Sequence, residues 1–430
     1  MKYLLVAVVA LGLLGILGFF AFAWYPAIPP VAAAAPRSFA PDLITKGQML
    51  AGGGFCAECH TAKGGAPYAG GYPMATPFGT MYSTNITPDI DTGIGTWSEA
   101  AFARAMREGV AQNGSLLYPA FPYDHFTRLA DEDIAALYAY FMTRPPVHAP
   151  ARANDLQFPL NIRYTLAGWR LLFFRSERFA PDAGKSAAWN RGAYLAEGLS
   201  HCGACHTPRN RLGAESARDA YAGAVIDNWV APPLTVANPA PVPWTQRELQ
   251  LYLHDGSTAL HGVAAGPMAP VVHGLAALPE PDIEGIALYI ADLDGAAGRT
   301  AATGGAVARA MSYASLGTGQ GIDSDTRLYF AACASCHYNA GAPNALRPDL
   351  ALSSALYLAD PNNLIQPVLQ GIASREGIPD IVMPGFGHAL SDNDIVRIAA
   401  YLRRTRTNLP PWPDLESKIA ALRANDATAH

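Results

Sequence analysis

Six cysteines and the residues beside them constrain this chain more than any other feature. All six fall in one pattern used three times: Cys56-Ala57-Glu58-Cys59-His60, Cys202-Gly203-Ala204-Cys205-His206 and Cys333-Ala334-Ser335-Cys336-His337. Two thiols three positions apart on a helical turn reach the two vinyl groups of one haem. The adjacent histidine then lies under the iron as proximal ligand. Other uses of paired cysteines account for less. A redox dithiol needs no following histidine. A zinc site pairs two such motifs in one small unit, whereas these copies stand more than a hundred residues apart. Disulfides would not place a histidine after every second cysteine. The expectation is three covalently bound haem c groups, attached at Cys56, Cys59, Cys202, Cys205, Cys333 and Cys336, with iron held by His60, His206 and His337.

A repeated unit surrounds each motif. Upstream lie short helical patterns, Gly47-Gln48-Met49-Leu50, Gly192-Ala193-Tyr194-Leu195 and Arg327-Leu328-Tyr329-Phe330. Downstream, second helices are predicted at Asp131-Glu132-Asp133-Ile134, Glu280-Pro281-Asp282-Ile283 and Asp392-Asn393-Asp394-Ile395. Acidic residues in their first turns suit the helix dipole. Tyr140, Tyr289 and Tyr401 each stand seven positions after the aligned aspartate and read as core residues. A length of 430 residues, half of them apolar, agrees with about three domains. The expected fold is all-α: cytochrome c domains at 41–150, 185–296 and 318–406, with a tail at 407–430 that reads as a charged helix packing on a partner. With 30 Lys and Arg against 35 Asp and Glu and no basic run, nucleic acid is not expected as a partner.

Residues Tyr3 to Trp24 carry no charge, and a membrane-spanning helix needs roughly 20 such residues. Lys2 would stay on the cytoplasmic side by the positive-inside rule. A cleaved signal peptide is the alternative, with Ala21-Phe22-Ala23 as cleavage site. The run exceeds the ~7–15 residues of a signal core, which favours an anchor over 1–25. Either reading exports the rest, to the periplasmic side of the inner membrane. The Pro- and Ala-rich stretch 26–40 reads as an extended spacer.

Each domain needs a distal ligand. Met383, in Val382-Met383-Pro384-Gly385-Phe386-Gly387, follows His337 by 46 residues, and Met268, in Gly266-Pro267-Met268-Ala269-Pro270, follows His206 by 62. Both sit in Pro-flanked loops just before a closing helix, the place of a sixth ligand. The first unit departs: Phe121 stands where Met268 would align, and phenylalanine cannot ligate iron. His125 in the same loop is the favoured substitute. Met106, Met142 and a five-coordinate iron open to peroxide stay as alternatives. His201, His254, His261, His273 and His388 read as hydrogen-bonding or surface residues.

Four stretches carry a resemblance: residues Thr76 to Asp89, Leu117 to Tyr123, Val263 to Met268, and Met383 to Gly387. With them the chain resembles the triheme cytochrome c subunits of periplasmic alcohol, aldehyde and gluconate dehydrogenases over roughly residues 40–405. The version with Phe121-Pro122-Tyr123-Asp124-His125-Phe126 looks more like the cytochromes paired with molybdenum hydroxylases. That resemblance implies a molybdopterin dehydrogenase subunit, a small iron–sulfur subunit, and ubiquinone or a terminal oxidase as acceptor. A partner of the pyrroloquinoline quinone or flavin type is the alternative. Asn85 is expected to bond a haem propionate.

Overall fold

Glycines decide where the helices of this chain cross. In the computed structural model, α2 (Pro41–Gly53) runs against α6 (Asp131–Met142), and a Cβ at Gly47 would lie 2.0 Å from the Ala136 carbonyl oxygen. α8 (Ala187–Tyr194) meets α12 (Glu280–Leu293) in the same way, with a Cβ at Gly192 falling 1.8 Å from the Gly285 oxygen. Backbones come this close only where a side chain is missing. Each crossing carries one ion pair, Lys46 to Asp133 at 2.6 Å and Arg191 to Asp282 at 2.7 Å. A third pair, α15 (Ser324–Ala332) with α18 (Asp392–Arg406), is held by Tyr329 and Tyr401, whose rings lie 5.2 Å apart, and by Arg397 to Asp325 at 2.9 Å. Tyr140, Tyr289 and Tyr401 are all buried, as core residues should be.

The structure describes residues 2–31, 38–314, 323–337, 343–345, 347–372 and 383–429. The middle of the expected spacer (32–37), the start of the third expected domain (318–322) and Val382 lie outside the described residues. The chain divides into two compact units, residues 1–181 with 197–201, and residues 182–196 with 202–430.

In the first unit, α1 (Lys2–Ala23) is apolar on every side and exposed along most of its length. α3 (Cys56–His60) carries the first motif. The hairpin β1 (Pro73–Thr76) and β2 (Gly79–Tyr82) follows, and β3 (Asp155–Leu156) adds to its β2 edge. α4 (Glu99–Glu108) starts at Ser98, whose hydroxyl accepts the Ala101 N–H, and stops at Gly109 in the left-handed region. α5 (Tyr123–Phe126) is one turn, and α7 (Thr165–Phe173) closes the unit. Residues after α1 are extended but docked: Ile28 donates to Gln112, Val31 to Thr96, and Arg104 to the Pro26 carbonyl.

In the second unit, the second motif lies on α9 (Gly203–His206), followed by the hairpin β4 (Ala224–Ile226) and β5 (Trp229–Ala231). Then come α10 (Gln246–Asp255), the two-residue pair β6 (Ser257–Thr258) and β7 (Gly262–Val263), and α11 (Met268–Leu275). α13 (Ala296–Arg299) and α14 (Thr303–Ala314) lead to the third motif on α16 (Ala334–His337). α17 (Asn362–Gln370) and α19 (Leu415–Ala429) complete it.

Two expectations change. The chain is helix-rich, but among the described residues its loops close as three short antiparallel sheets. The segments are two to four residues long, too brief to show a strand period. The tail does not wait for a partner. Trp412, Leu415, Ile419 and Leu422 are buried in the same core as Tyr329, Ile395, Ile398 and Tyr401. Arg403 stacks on Trp412 at 4.4 Å and donates to the Pro410 carbonyl, so the apolar face of α19 covers its own domain.

Candidate haem-attachment sites

Each motif folds as a single helical turn that places both thiols and the histidine on one short surface. None of the six cysteines forms a disulfide. Burial pushes the thiols of Cys56 and Cys202 up to about 12 and that of Cys333 to about 11, with the neighbouring cysteine adding to the shift. A catalytic redox dithiol works through a lowered thiol pKa, the opposite shift. Two free thiols beside a histidine at each motif fit thioether attachment.

The three motif histidines share one arrangement. Nδ1 of His60 is 2.7 Å from the Thr84 carbonyl, that of His206 is 2.7 Å from Pro232, and that of His337 is 3.1 Å from Pro348. A carbonyl can only accept, so Nδ1 carries the proton and the lone pair lies on Nε2, as a metal ligand requires. Burial also lowers the pKa of His60 and of His206, which favours the neutral ring. The residues therefore fit haem iron.

Thr84, Pro232 and Pro348 lie 24, 26 and 11 residues from their histidines, so no common spacing marks them. The shared signal is weaker: each is followed by Asn, Pro or Asp and then Ile or Leu. Asn85 holds the loop itself. Its amide donates to Thr92 Oγ1 and the Val147 carbonyl, and its oxygen accepts from the Thr87 N–H and hydroxyl. With those groups committed, Asn85 staples the loop that presents the Thr84 carbonyl. The second loop is braced by Asn363 on α17, which bonds both backbone groups of Val230 at 2.7 and 2.8 Å.

The structure separates the distal candidates. Met268 is half-buried at the first residue of α11. Met383 is half-buried beside the third core, held by paired backbone bonds to Ile372 at 2.8 and 3.0 Å. Phe121 packs on Phe126, ring centres 5.4 Å apart. His125 is buried on α5, and its Nδ1–H donates to the Glu197 carbonyl at 2.7 Å, the bond that also orients the motif histidines. Met106 is buried on α4, and Met142 ends α6. His201 packs edge-on against Phe55 and Phe126. The Ser200 hydroxyl donates to the Gly53 carbonyl at 2.8 Å, which seats residues 197–201 beside the first motif.

Of the two parts expected for His261, hydrogen-bonding or surface, the surface one does not hold. It is buried and stacked on Trp244 at 3.6 Å, with the Pro243 backbone beside its ring. Burial pushes its pKa down to about 3.

Known proteins agree with this geometry. Residues 44–145 match the cytochrome c family, and residues 321–402 match the family described as cytochrome c oxidase, cbb3-type, subunit III. The gluconate 2-dehydrogenase cytochrome c subunit of Pantoea cypripedii is 40% identical over 405 residues, covering 89% of this chain and 90% of that one. The fructose dehydrogenase cytochrome subunit of Gluconobacter japonicus is 38% identical, covering 84% and 78%.

This chain belongs to the family of cytochrome c subunits of dehydrogenases.

The cytochrome subunit thus binds haem c covalently and works in electron transfer. It is also 45% identical to a nicotinate dehydrogenase subunit of Pseudomonas putida over 94% of its own length, and spans about a third of that protein (34%).

Proposed function

We propose that this cytochrome subunit holds three haem c groups in three cytochrome c domains. It would carry electrons from a periplasmic molybdopterin and iron–sulfur dehydrogenase to ubiquinone or a terminal oxidase, with α1 as its anchor in the inner membrane. The observation behind the haem count is the repetition of one geometry, a Cys-x-x-Cys-His turn whose histidine Nδ1 is held by a backbone carbonyl, at all three motifs.

Bound haem c supplies a one-electron couple whose potential follows its axial ligands. The protein sets those ligands and the burial around them. Met268 and Met383 would hold the iron together with His206 and His337 in the second and third domains, and His125 would do so with His60 in the first. The Nδ1 bond of His125 is the feature that ligating histidines generally show.

A molybdenum partner is favoured by the run Phe121 to Phe126, through its resemblance to the cytochromes paired with molybdenum hydroxylases. A quinoprotein or flavoprotein partner is the second reading. It is favoured by the fructose and gluconate dehydrogenase relatives, which match along most of their own length. The test is gentle purification of the membrane complex through a tag on this chain, followed by analysis for molybdenum, pyrroloquinoline quinone and flavin. Molybdenum with two additional subunits is the expected result. Quinone or flavin in its place moves the protein to the second reading.

A further inference from the structure

α7 turns one apolar face inward and a second one outward. On the inner face, Leu166 and Ala167 pack with Ala23, Val110 and Leu116, and the buried Arg170 guanidinium donates to the Glu108 carbonyl. The outer face repeats at helical spacing as Tyr164, Gly168, Leu171 and Leu172. Leu171 and Leu172 are 69% and 66% exposed, and a Cβ at Gly168 would meet nothing within 4 Å. The turn before the helix adds Phe158, 80% exposed, and Ile162. No charged residue interrupts this face. Arg163 bends back to the Leu116 carbonyl and the Tyr118 ring, and the exposed Arg175 lies just past the helix end.

A helix between a core and water would show polar residues outward. An unbroken apolar face marks a partner or a membrane. Continuity with α1 decides between them. The Phe20 ring in its last turn meets Tyr164 edge-on at 5.3 Å, and Ala23 is buried against α7 itself. The exposed Trp24 and Tyr164 stand at that junction, where aromatic side chains gather at membrane–water interfaces.

We propose that the outer face of α7, with Phe158, Ile162, Tyr164, Leu171 and Leu172, lies in the outer-leaflet lipid interface as a second membrane contact beside α1. It rests on α1 being a retained anchor. The first domain is then held against the bilayer at two points, lying on it as an interfacial helix does.

The experiment uses the full haem-loaded chain in vesicles of phosphatidylethanolamine and phosphatidylglycerol. Single nitroxide labels are placed through Leu172→Cys on α7 or Leu13→Cys on α1. Collision with oxygen is then compared with collision with a water-soluble nickel chelate. The expected result is oxygen-dominated collision at both sites. Chelate-dominated collision at position 172, with position 13 in lipid, overturns the proposal and leaves the anchor standing. Shielding of position 172 from both reagents also overturns it, in favour of a protein partner. Loss of α1 from the mature chain with position 172 still in lipid overturns the anchor and, with it, a contact made beside α1, leaving α7 as a lipid contact of its own. Loss of both overturns both.

Discussion

A single methyl group placed at a helix crossing tests how tightly the haem-bearing domains are built. Gly192→Ala puts a Cβ 1.8 Å from the Gly285 carbonyl oxygen, and Gly47→Ala puts one 2.0 Å from that of Ala136. Ordinary contact begins near 3.4 Å, so α8 and α12, or α2 and α6, must part by roughly 1.5 Å. A radial gap of even ~0.5–1 Å forfeits a quarter to a half of each van der Waals contact. Overpacking a well-filled core costs about 1–3 kcal/mol, and a backbone collision of this size belongs at the upper end. Alanine returns up to ~1 kcal/mol through helix propensity. The net expectation is a loss of about 2 kcal/mol for either variant. Gly168→Ala is the internal control, because its Cβ enters open space in the middle of α7. There only propensity acts, and the change should stabilise by ~0.5–1 kcal/mol. Urea unfolding followed by far-ultraviolet circular dichroism, with haem content measured on the same samples, reads all three. An unchanged midpoint in Gly192→Ala and Gly47→Ala, or a lowered one in Gly168→Ala, would refute the reasoning.

Three further outcomes are expected. Met268→Ala or Met383→Ala should lower the potential of one haem in a redox titration while haem stoichiometry stays the same; an unmoved potential removes that methionine as a ligand. His125→Ala should convert one low-spin haem to high spin in visible and resonance spectra, and an unchanged spectrum hands that iron to another residue. His261 gives a pH dependence: its folded pKa is about 3 against an ordinary ~6.5, so below that value the unfolded chain binds the extra proton. Its contribution is complete above pH ~6.5 and is lost as pH falls toward 3. His261→Phe should therefore flatten the decline of the urea midpoint between pH 7 and pH 5, and an equally steep decline would show that other groups carry it.

Haem attachment was legible in the sequence because it is a local matter. Cys-x-x-Cys-His works through one helical turn, and the turn formed at all three copies. The paired helices were legible for a similar reason, since acidic first turns and apolar spacing act within one helix. Their closeness was not. Gly47 and Gly192 read as ordinary helical residues until Ala136 and Gly285 arrive from about ninety residues away. One insertion was hidden as well. The second motif stands ten positions after Gly192 where the first stands nine after Gly47, and a π-turn at Leu195–Leu199 absorbs the extra residue.

The sequence by itself determined that the Cys-x-x-Cys-His motif is present three times and that the segment after Lys2 is apolar enough to cross a membrane. Both properties depend on residue types within a few positions of one another. Tertiary structure alone decided which carbonyl holds each histidine ring, that Asn85 serves a loop, that His261 is buried on Trp244, and that the tail covers its own core. Those depend on which distant backbone comes near, and a carbonyl has no residue identity for a sequence to display. The same holds for α7. Only the packed chain, with Leu166 and Ala167 filling the inside, shows that Leu171 and Leu172 face out.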